Sequence, residues 1–154
     1  HTEIGIPWDS IGAMFSIMLF AFVLTQIPLG KLADKVLGEK ELLFVGFIVM
    51  GASTITLYVL PYFTLPLLAL VLFVTRLGAS CVEVMTETYF FKKVAPSETG
   101  IISIFRNTYP ISYIIAPIIG SGIIASSSPK HLFLVLGIIC LSGIFFVLPI
   151  RDTR

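Results

Sequence analysis

The sequence predicts an all-α integral membrane protein with five transmembrane helices, and three observations carry that prediction. Of its 154 residues, 56% are hydrophobic and only 12% are charged, about half the charge of a typical soluble domain. The mean hydropathy is +1.01. Long runs without any charge recur along the chain, and roughly 20 apolar residues are enough for a helix to cross a bilayer. We therefore expect a single membrane domain over residues 1–154.

The predicted helices are long apolar runs bounded by turn signals, and the first and last of them carry no charge. Pro28 and Gly30 mark the end of the first run. The next run is too long for one crossing, and Pro61 and Pro66 divide it because proline and the residue before it disfavour helix. Trp8 is placed as an interfacial anchor before the first helix. The predicted spans are residues about 10–30, 41–60, 65–92, 98–125 and 131–150.

The positive charges predict the orientation. Five crossings put the two ends on opposite sides, and lysine and arginine in short loops mark the cytoplasm. We therefore expect the N-terminus outside and the C-terminus in the cytoplasm of a multi-pass protein of the plasma or inner membrane. The net charge of +1 gives no case for nucleic-acid binding, so the expected surroundings are the lipid bilayer. The residues assigned to the cytoplasmic side are Lys31, Lys35, Lys40, Lys92, Lys93, Arg151 and Arg154, against Lys130 alone outside.

Ionisable residues inside the third helix are the first candidates for function. Arg76, Ser80, Glu83 and Glu87 recur at a spacing that places them on one helix face. Ionised groups in hydrocarbon cost several kcal/mol or more unless they are paired or face water. We therefore take Arg76, Glu83 and Glu87 as candidates for a substrate or coupling path.

The fourth helix adds Arg106 and Asn107 to these candidates. The third and fourth helices are antiparallel around a short loop, which places Arg106 level with Glu83 and one turn from Glu87. We expect an ion pair between Arg106 and one of the two acids. The pair is either a structural clamp, or it leaves a glutamate free to exchange a proton or contact substrate. Arg76 lies too far out to share the pair and is expected to face water or a helix from outside this chain.

The sequence contains no constellation typical of an enzyme. Cys81 and Cys140 lie in apolar helical sequence without CxxC or metal-ligand spacing. His1 and His131 lie at a terminus and at a loop edge. No serine–histidine, metal-ligand or phosphate-cradling set exists. We therefore expect no enzymatic activity, no metal site and no cofactor.

The charged segment after the first helix reads Gly30-Lys31-Leu32-Ala33-Asp34-Lys35-Val36-Leu37-Gly38-Glu39-Lys40. It resembles the signature loop of the major facilitator superfamily, G-x-x-x-D-(R/K)-x-G-(R/K)-(R/K). Gly30, Asp34 and Lys35 match directly, Gly38 matches after a one-residue insertion, and Glu39 stands where a base is usual. Without the resemblance, this would be an ordinary positive-inside loop. The resemblance implies that Asp34 and Lys35 form a cytoplasmic latch with helix ends of the opposite half.

Two helices extend the resemblance over nearly the whole chain. Arg76 before the small residues 78–80 is similar to the family's fourth or tenth helix. Residues 112–121 look like the family's G-x-x-x-G-P-x-x-G-G helix, with small residues in place of three glycines. Pro110, Pro117 and Gly120 are accordingly expected to kink the fourth helix and to let a neighbouring helix approach closely.

The resemblance implies a fragment of a secondary active transporter. Carriers of this kind have two six-helix halves built from three-helix repeats, so five helices fit helices 8–12 of the C-terminal half, or helices 2–6. Such a protein moves a small solute by alternating access, with proton coupling as one option, and its partners are that substrate and the missing half. Alone, the fragment is not expected to transport. The alternative is a membrane-embedded structural or assembly subunit without transport of its own.

Overall fold

The computed structural model describes residues 7–35, 37–60 and 64–151, apart from the side chains of residues 26–27 and 34–35. Within that part the secondary structure is entirely helical, and all five helices are long and apolar enough to cross a membrane. The predicted fold class is therefore confirmed. A helix suits this setting because it pairs nearly all of its own backbone polar groups. The helices are α1 (Trp8–Lys35), α2 (Glu39–Val59), α3 (Leu65–Lys93), α4 (Thr99–Ser126) and α5 (Pro129–Val147).

The predicted end of the first helix at Gly30 is wrong, because α1 continues to Lys35 with Pro28 inside it. A proline removes one hydrogen bond, whereas ending the helix would leave several carbonyls unpaired at the edge of the hydrocarbon. Beyond α1, the Leu37 N–H donates to the Leu32 carbonyl at 3.0 Å. Gly30, Asp34 and Lys35 therefore lie on a helix instead of a loop, and Gly38 precedes α2 as its N-cap residue.

Helix α2 lies at the centre of the bundle and packs against both α3 and α5, while α1 packs on α3. Glycines make both contacts of α2 close. A Cβ atom on Gly78 of α3 would lie 2.6 Å from the backbone N of Met50 and 2.9 Å from the carbonyl oxygen of Gly46. A Cβ on Gly137 of α5 would lie 3.1 Å from the carbonyl oxygen of Gly51. Small residues at such crossings let helix backbones approach in a membrane.

Helix α4 is the least packed element and contains no buried residue. It runs without a break through Pro110 and Pro117 and contacts α5 more sparsely than the other packed pairs contact each other. At Gly120 the atom nearest to an added Cβ would be Leu132 Cδ1, at 3.8 Å. No described helix therefore approaches closely there, and the packing role of Gly120 stays a prediction.

Polar contacts join three helices at the end predicted to be cytoplasmic. The Lys92 Nζ of α3 lies 2.7 Å from the Glu39 Oε1 of α2, and the Glu39 side chain is fully buried. Lys40 donates to the Leu148 carbonyl beyond α5 at 2.7 Å. Glu39 is the first residue of α2, where the helix dipole favours a negative charge. Glu39 thus links α2 to α3 from the position where the family loop usually has a base.

Candidate functional site

The polar face of α3 divides into two parts in the structure. At the level of Ser80 the face is covered by α1, and the buried Ser80 hydroxyl shares a short hydrogen bond with the hydroxyl of Thr25. Toward the predicted cytoplasmic end, Glu83 and Glu87 are exposed. The four residues therefore share a helix face, as their spacing predicts, but they do not share one environment.

Arg76 lies beneath α1, and its charge has no acidic partner among the described residues. Its guanidinium carbon lies 5.3 Å from the centre of the Phe22 ring, a cation–π geometry. Its Nε is buried and has no hydrogen-bond partner in the described part of the chain. Arg76 is 11 residues after Leu65, or about 16 Å at 1.5 Å per residue. In a hydrocarbon core of about 30 Å, this depth is near the midplane.

Glu87 of α3 and Arg106 of α4 border the same cavity. It has a volume of about 210 Å³, and its other lining residues are Phe91, Phe105 and Tyr109. A second cavity of about 300 Å³ shares Glu87 and Phe91 with the first. Glu87 is therefore the acid that the structure brings nearest to Arg106, while Asn107 is exposed on the flank of the same helix.

The predicted ion pair of Arg106 is wrong in this structure. Among the described residues, no N···O contact within 4.0 Å joins Arg106 to Glu83 or Glu87. Beside the cleft the two helices meet through aromatic side chains instead, because Phe90 and Phe105 stack with ring centres 3.9 Å apart and planes at 9°. Glu87 and Arg106 border the cleft without an ion pair.

Three further ring contacts complete an aromatic wall around this cleft. Phe105 meets Phe91 and Tyr109 edge to face, each with ring centres 6.3 Å apart, and Phe90 meets Phe91 at 5.3 Å. Offset and edge-to-face arrangements are the favoured geometries of aromatic pairs. These phenylalanines were not among the residues predicted from the sequence. The sequence feature that could have pointed to them is their position on either side of the short α3–α4 loop.

Helix α4 carries a stripe of polar residues and prolines that was not predicted as one face, although Arg106, Pro110 and Pro117 were each singled out in the sequence. Its members recur every three or four residues, the spacing of one helix face, and all of them are exposed. Because an arginine facing lipid is costly, this face is expected to lie against water or protein. We call it the α4 polar stripe. It comprises Thr99, Ser103, Arg106, Pro110, Tyr113, Pro117 and Ser121.

The residues of the predicted gating loop lie at the junction of α1 and α2. Gly38 is buried, and nothing lies within 4 Å of a Cβ placed on Gly30. The side chains of Asp34 and Lys35 lie outside the described residues, so their latch role stays a prediction. Next to them, the structure adds Glu39 and Lys92, whose pairing joins α2 to α3.

A larger cavity lies away from all of these charges. It occupies about 650 Å³ between α4 and α5 and is lined almost entirely by apolar side chains, with Ser112 and Ser121 as its hydroxyl groups. Such a surface suits hydrocarbon, either an acyl chain or a neighbouring helix. The smaller α3–α4 cleft contains the titratable groups and is the candidate site.

The comparisons with known proteins place this geometry in context. A family model described as Major Facilitator Superfamily matches residues 1–154, the whole chain. Comparison with curated proteins and with solved structures gives no significant match. The predicted resemblance to this family is therefore confirmed over the full length of the sequence.

Proposed function

Because this chain belongs to the Major Facilitator Superfamily, whose members are membrane transporters, we propose that it forms part of a secondary active transporter working by alternating access. In this mechanism one half rocks against the other around a site near the membrane midplane. We further propose that the five helices are helices 8–12 of the C-terminal half, in the plasma or inner membrane, with the N-terminus outside. The missing half then completes the path.

The α3–α4 cleft is the observation that supports this proposal most. Glu87 and Arg106 border one cavity in membrane-spanning helices without pairing to each other among the described residues. Charges in such positions are expensive, and they mark substrate or ion pathways more often than stable packing. A structural clamp between α3 and α4 would require an ion pair of Arg106 with Glu83 or Glu87, and the described residues form none. The open cleft thus favours a path over a clamp.

Each candidate residue has a distinct part in this mechanism. Glu83 and Glu87 are the groups that could bind and release a proton on the path. On α4, Arg106 borders the cavity that Glu87 also lines, and Arg106 with its neighbour Asn107 would contact the solute or the coupling acid. Arg76, near the midplane under α1, would hold a negative charge supplied by the solute or by the other half.

The junction of α1 and α2 would supply the gate. By the family resemblance, Asp34 and Lys35 at the end of α1 would contact helix ends of the opposite half and hold the outward-facing state, with Gly30 inside α1 and Gly38 before α2 on either side of them. Glu39 forms an ion pair with Lys92 within this chain. It would therefore stiffen the gate's own side and would not reach across to the other half.

A proton-flux assay tests the coupling role. The intact carrier is placed in liposomes that contain a pH-sensitive dye, and pools of small metabolites are added. We expect a solute-dependent pH change that is lost in the Glu83→Gln/Arg106→Gln double variant. A control with Glu41→Gln/Lys130→Gln changes an exposed acid and an exposed base elsewhere and should retain the flux. Full proton-coupled flux in the first double variant would eliminate the coupling role.

The alternative of a structural or assembly subunit has less support. It depends on charged pairs that bind partner helices. The family model matches the whole chain, and the expected α3–α4 ion pair is absent from the described residues. The carrier is the better-supported function.

A further inference from the structure

The α3–α4 cleft presents one negative and one positive group to the same small space. We propose that it binds a small organic zwitterion with an apolar body, of the chemical class of an aromatic α-amino acid. This inference rests on the proposed carrier function and names the substrate class of its site. The ammonium group would bind the Glu87 carboxylate, and the carboxylate would bind the Arg106 guanidinium.

Charge balance is the first argument for this class of ligand. Glu87 and Arg106 border one cavity of about 210 Å³, and neither forms an ion pair within 4.0 Å among the described residues. Both side chains are exposed in this structure, and a ligand that fills the cavity would displace water from both of them. Covering either charge without giving it a partner is costly. A simple anion would neutralise only Arg106, and a simple cation would neutralise only Glu87. A zwitterion neutralises both, and a guanidinium can hold its carboxylate with two parallel hydrogen bonds.

The walls of the cleft are the second argument. Between the two charged groups the cavity is lined by the rings of Phe91, Phe105 and Tyr109. Phe105 is fixed in place by its stack on Phe90 at 3.9 Å. Aromatic walls bind an apolar or aromatic body well, but they offer a sugar few of the hydrogen bonds that its hydroxyl groups require. The Tyr109 hydroxyl is the polar group that this wall adds.

Space is the third argument. The adjoining cavity of about 300 Å³ shares Glu87 and Phe91 with the first and is completed by Val84 and Thr88. Small-molecule sites combine mostly apolar walls with a few placed polar groups. A zwitterion held between Glu87 and Arg106 could extend its side group over Phe91 into this second space.

A binding assay with three matched probes tests the proposal on the intact carrier in detergent. L-phenylalanine carries both charges, phenethylamine lacks the carboxylate, and 3-phenylpropionate lacks the amine, while the aromatic body is the same. We expect L-phenylalanine to bind at least about tenfold more tightly than either probe, since a probe that lacks one charge covers one charged side chain of the cleft without pairing it. This comparison uses the wild-type protein and does not depend on whether a variant folds.

Two variants assign the charges to their partners. Glu87→Gln should abolish the advantage of L-phenylalanine over 3-phenylpropionate, and Arg106→Gln should abolish its advantage over phenethylamine. Glu41→Gln and Lys130→Gln change an exposed acid and an exposed base outside the cleft and should leave all three affinities unchanged. If each cleft variant reduced the affinities for the three probes equally, the assignment of charges would be wrong.

Two results would overturn the proposal. In one, either single-charge probe binds the wild-type protein as tightly as L-phenylalanine. In the other, none of the three binds. A carrier that moves some other solute while none of the probes binds would keep its proposed function and lose only this substrate class. Binding of L-phenylalanine without movement of any solute would support the substrate class and contradict the proposed carrier function.

Discussion

Arg76 is the residue whose environment is hardest to explain by stability alone. Its Nε is buried without a hydrogen-bond partner among the described residues, and its guanidinium carbon lies 5.3 Å from the Phe22 ring centre. A cation–π contact contributes about 0.5–2 kcal/mol, less than the roughly 2.5–3.5 kcal/mol that an arginine costs at the centre of a membrane helix. The remaining cost is consistent with a residue retained for function.

Replacing Arg76 with methionine should therefore separate stability from activity. Methionine fills a similar length without a charge, so Arg76→Met should raise the thermal stability of the carrier by up to about 2 kcal/mol while transport is lost. Thermal unfolding in detergent and solute flux in liposomes measure the two effects. Arg151→Met, at an exposed position, should change neither. A fall in stability for Arg76→Met would show that the arginine is structural.

Glu39 and Lys92 differ from Arg76, because they form an ion pair with each other within the chain. Glu39 is fully buried and lies 2.7 Å from Lys92 Nζ. Removing one member of a buried pair costs about 3–5 kcal/mol when the other charge stays buried, and Lys92 is 36% exposed. Water can therefore reach Lys92 once its partner is gone, which reduces the cost.

A double-mutant cycle measures this pair directly. We expect Glu39→Gln to destabilise the protein by about 1–3 kcal/mol and the coupling energy with Lys92→Gln to be at least about 1 kcal/mol. Chemical or thermal unfolding of the four variants in detergent supplies the values. Glu41→Gln alters an exposed acid two residues away and serves as the control. Additive effects of the two substitutions would contradict the contact.

At the scale of elements, the helices were predictable and their lateral contacts were not. Hydropathy depends only on local sequence, so the long apolar runs between turn signals identify all five spans. The end of α1 was missed because Pro28 and Gly30 carry a strong turn signal in water but are tolerated within a membrane helix. The depths of Glu87 and Arg106 follow from helix rise. Whether they pair depends on how α3 and α4 pack side by side, here through the Phe90–Phe105 stack, which a one-dimensional pattern does not encode.

The glycine contacts of α2 give a prediction at this same scale. Gly78→Ala would place a Cβ 2.6 Å from the Met50 backbone N, so α2 and α3 must separate. Overpacking of this kind costs about 1–3 kcal/mol. Gly122→Ala, on the open face of α4 with nothing within 4 Å, should be neutral or gain up to about 1 kcal/mol from helix propensity. Thermal unfolding of both variants checks the contrast, and equal stabilities would contradict the close α2–α3 crossing.

Over the whole molecule the helices are packed unevenly, and the least packed helix indicates which face would meet partners. Helix α2 is enclosed by α3 and α5, whereas α4 has no buried residue and presents the α4 polar stripe. Arg106 and Asn107 were predicted from the sequence as functional candidates, but the rest of α4 was predicted mainly as a packing helix. The stripe has a regular period, so it could have been found. Its openness could not, because burial depends on where the other helices lie.

In the proposed carrier, the part of the α4 polar stripe from Thr99 to Tyr113 faces an aqueous path that opens to each side of the membrane in turn, whereas Pro117 and Ser121 border the apolar α4–α5 cavity. Tyr113 and Ile111 test this orientation, since both lie near the middle of α4 and are exposed by 77% and 53%. They point to nearly opposite sides, because two residues rotate a helix by about 200°. Each is replaced by cysteine in a Cys81→Ser/Cys140→Ala background and exposed to a membrane-impermeant thiol reagent in vesicles of either orientation.

We expect Tyr113→Cys to be labelled from both sides of the membrane, because alternating access opens the path to each side in turn. Ile111→Cys, at almost the same depth but facing lipid, should be labelled from neither side. If Tyr113→Cys proved as unreactive as Ile111→Cys, or reacted from one side only, the alternating-access path along α4 would be contradicted.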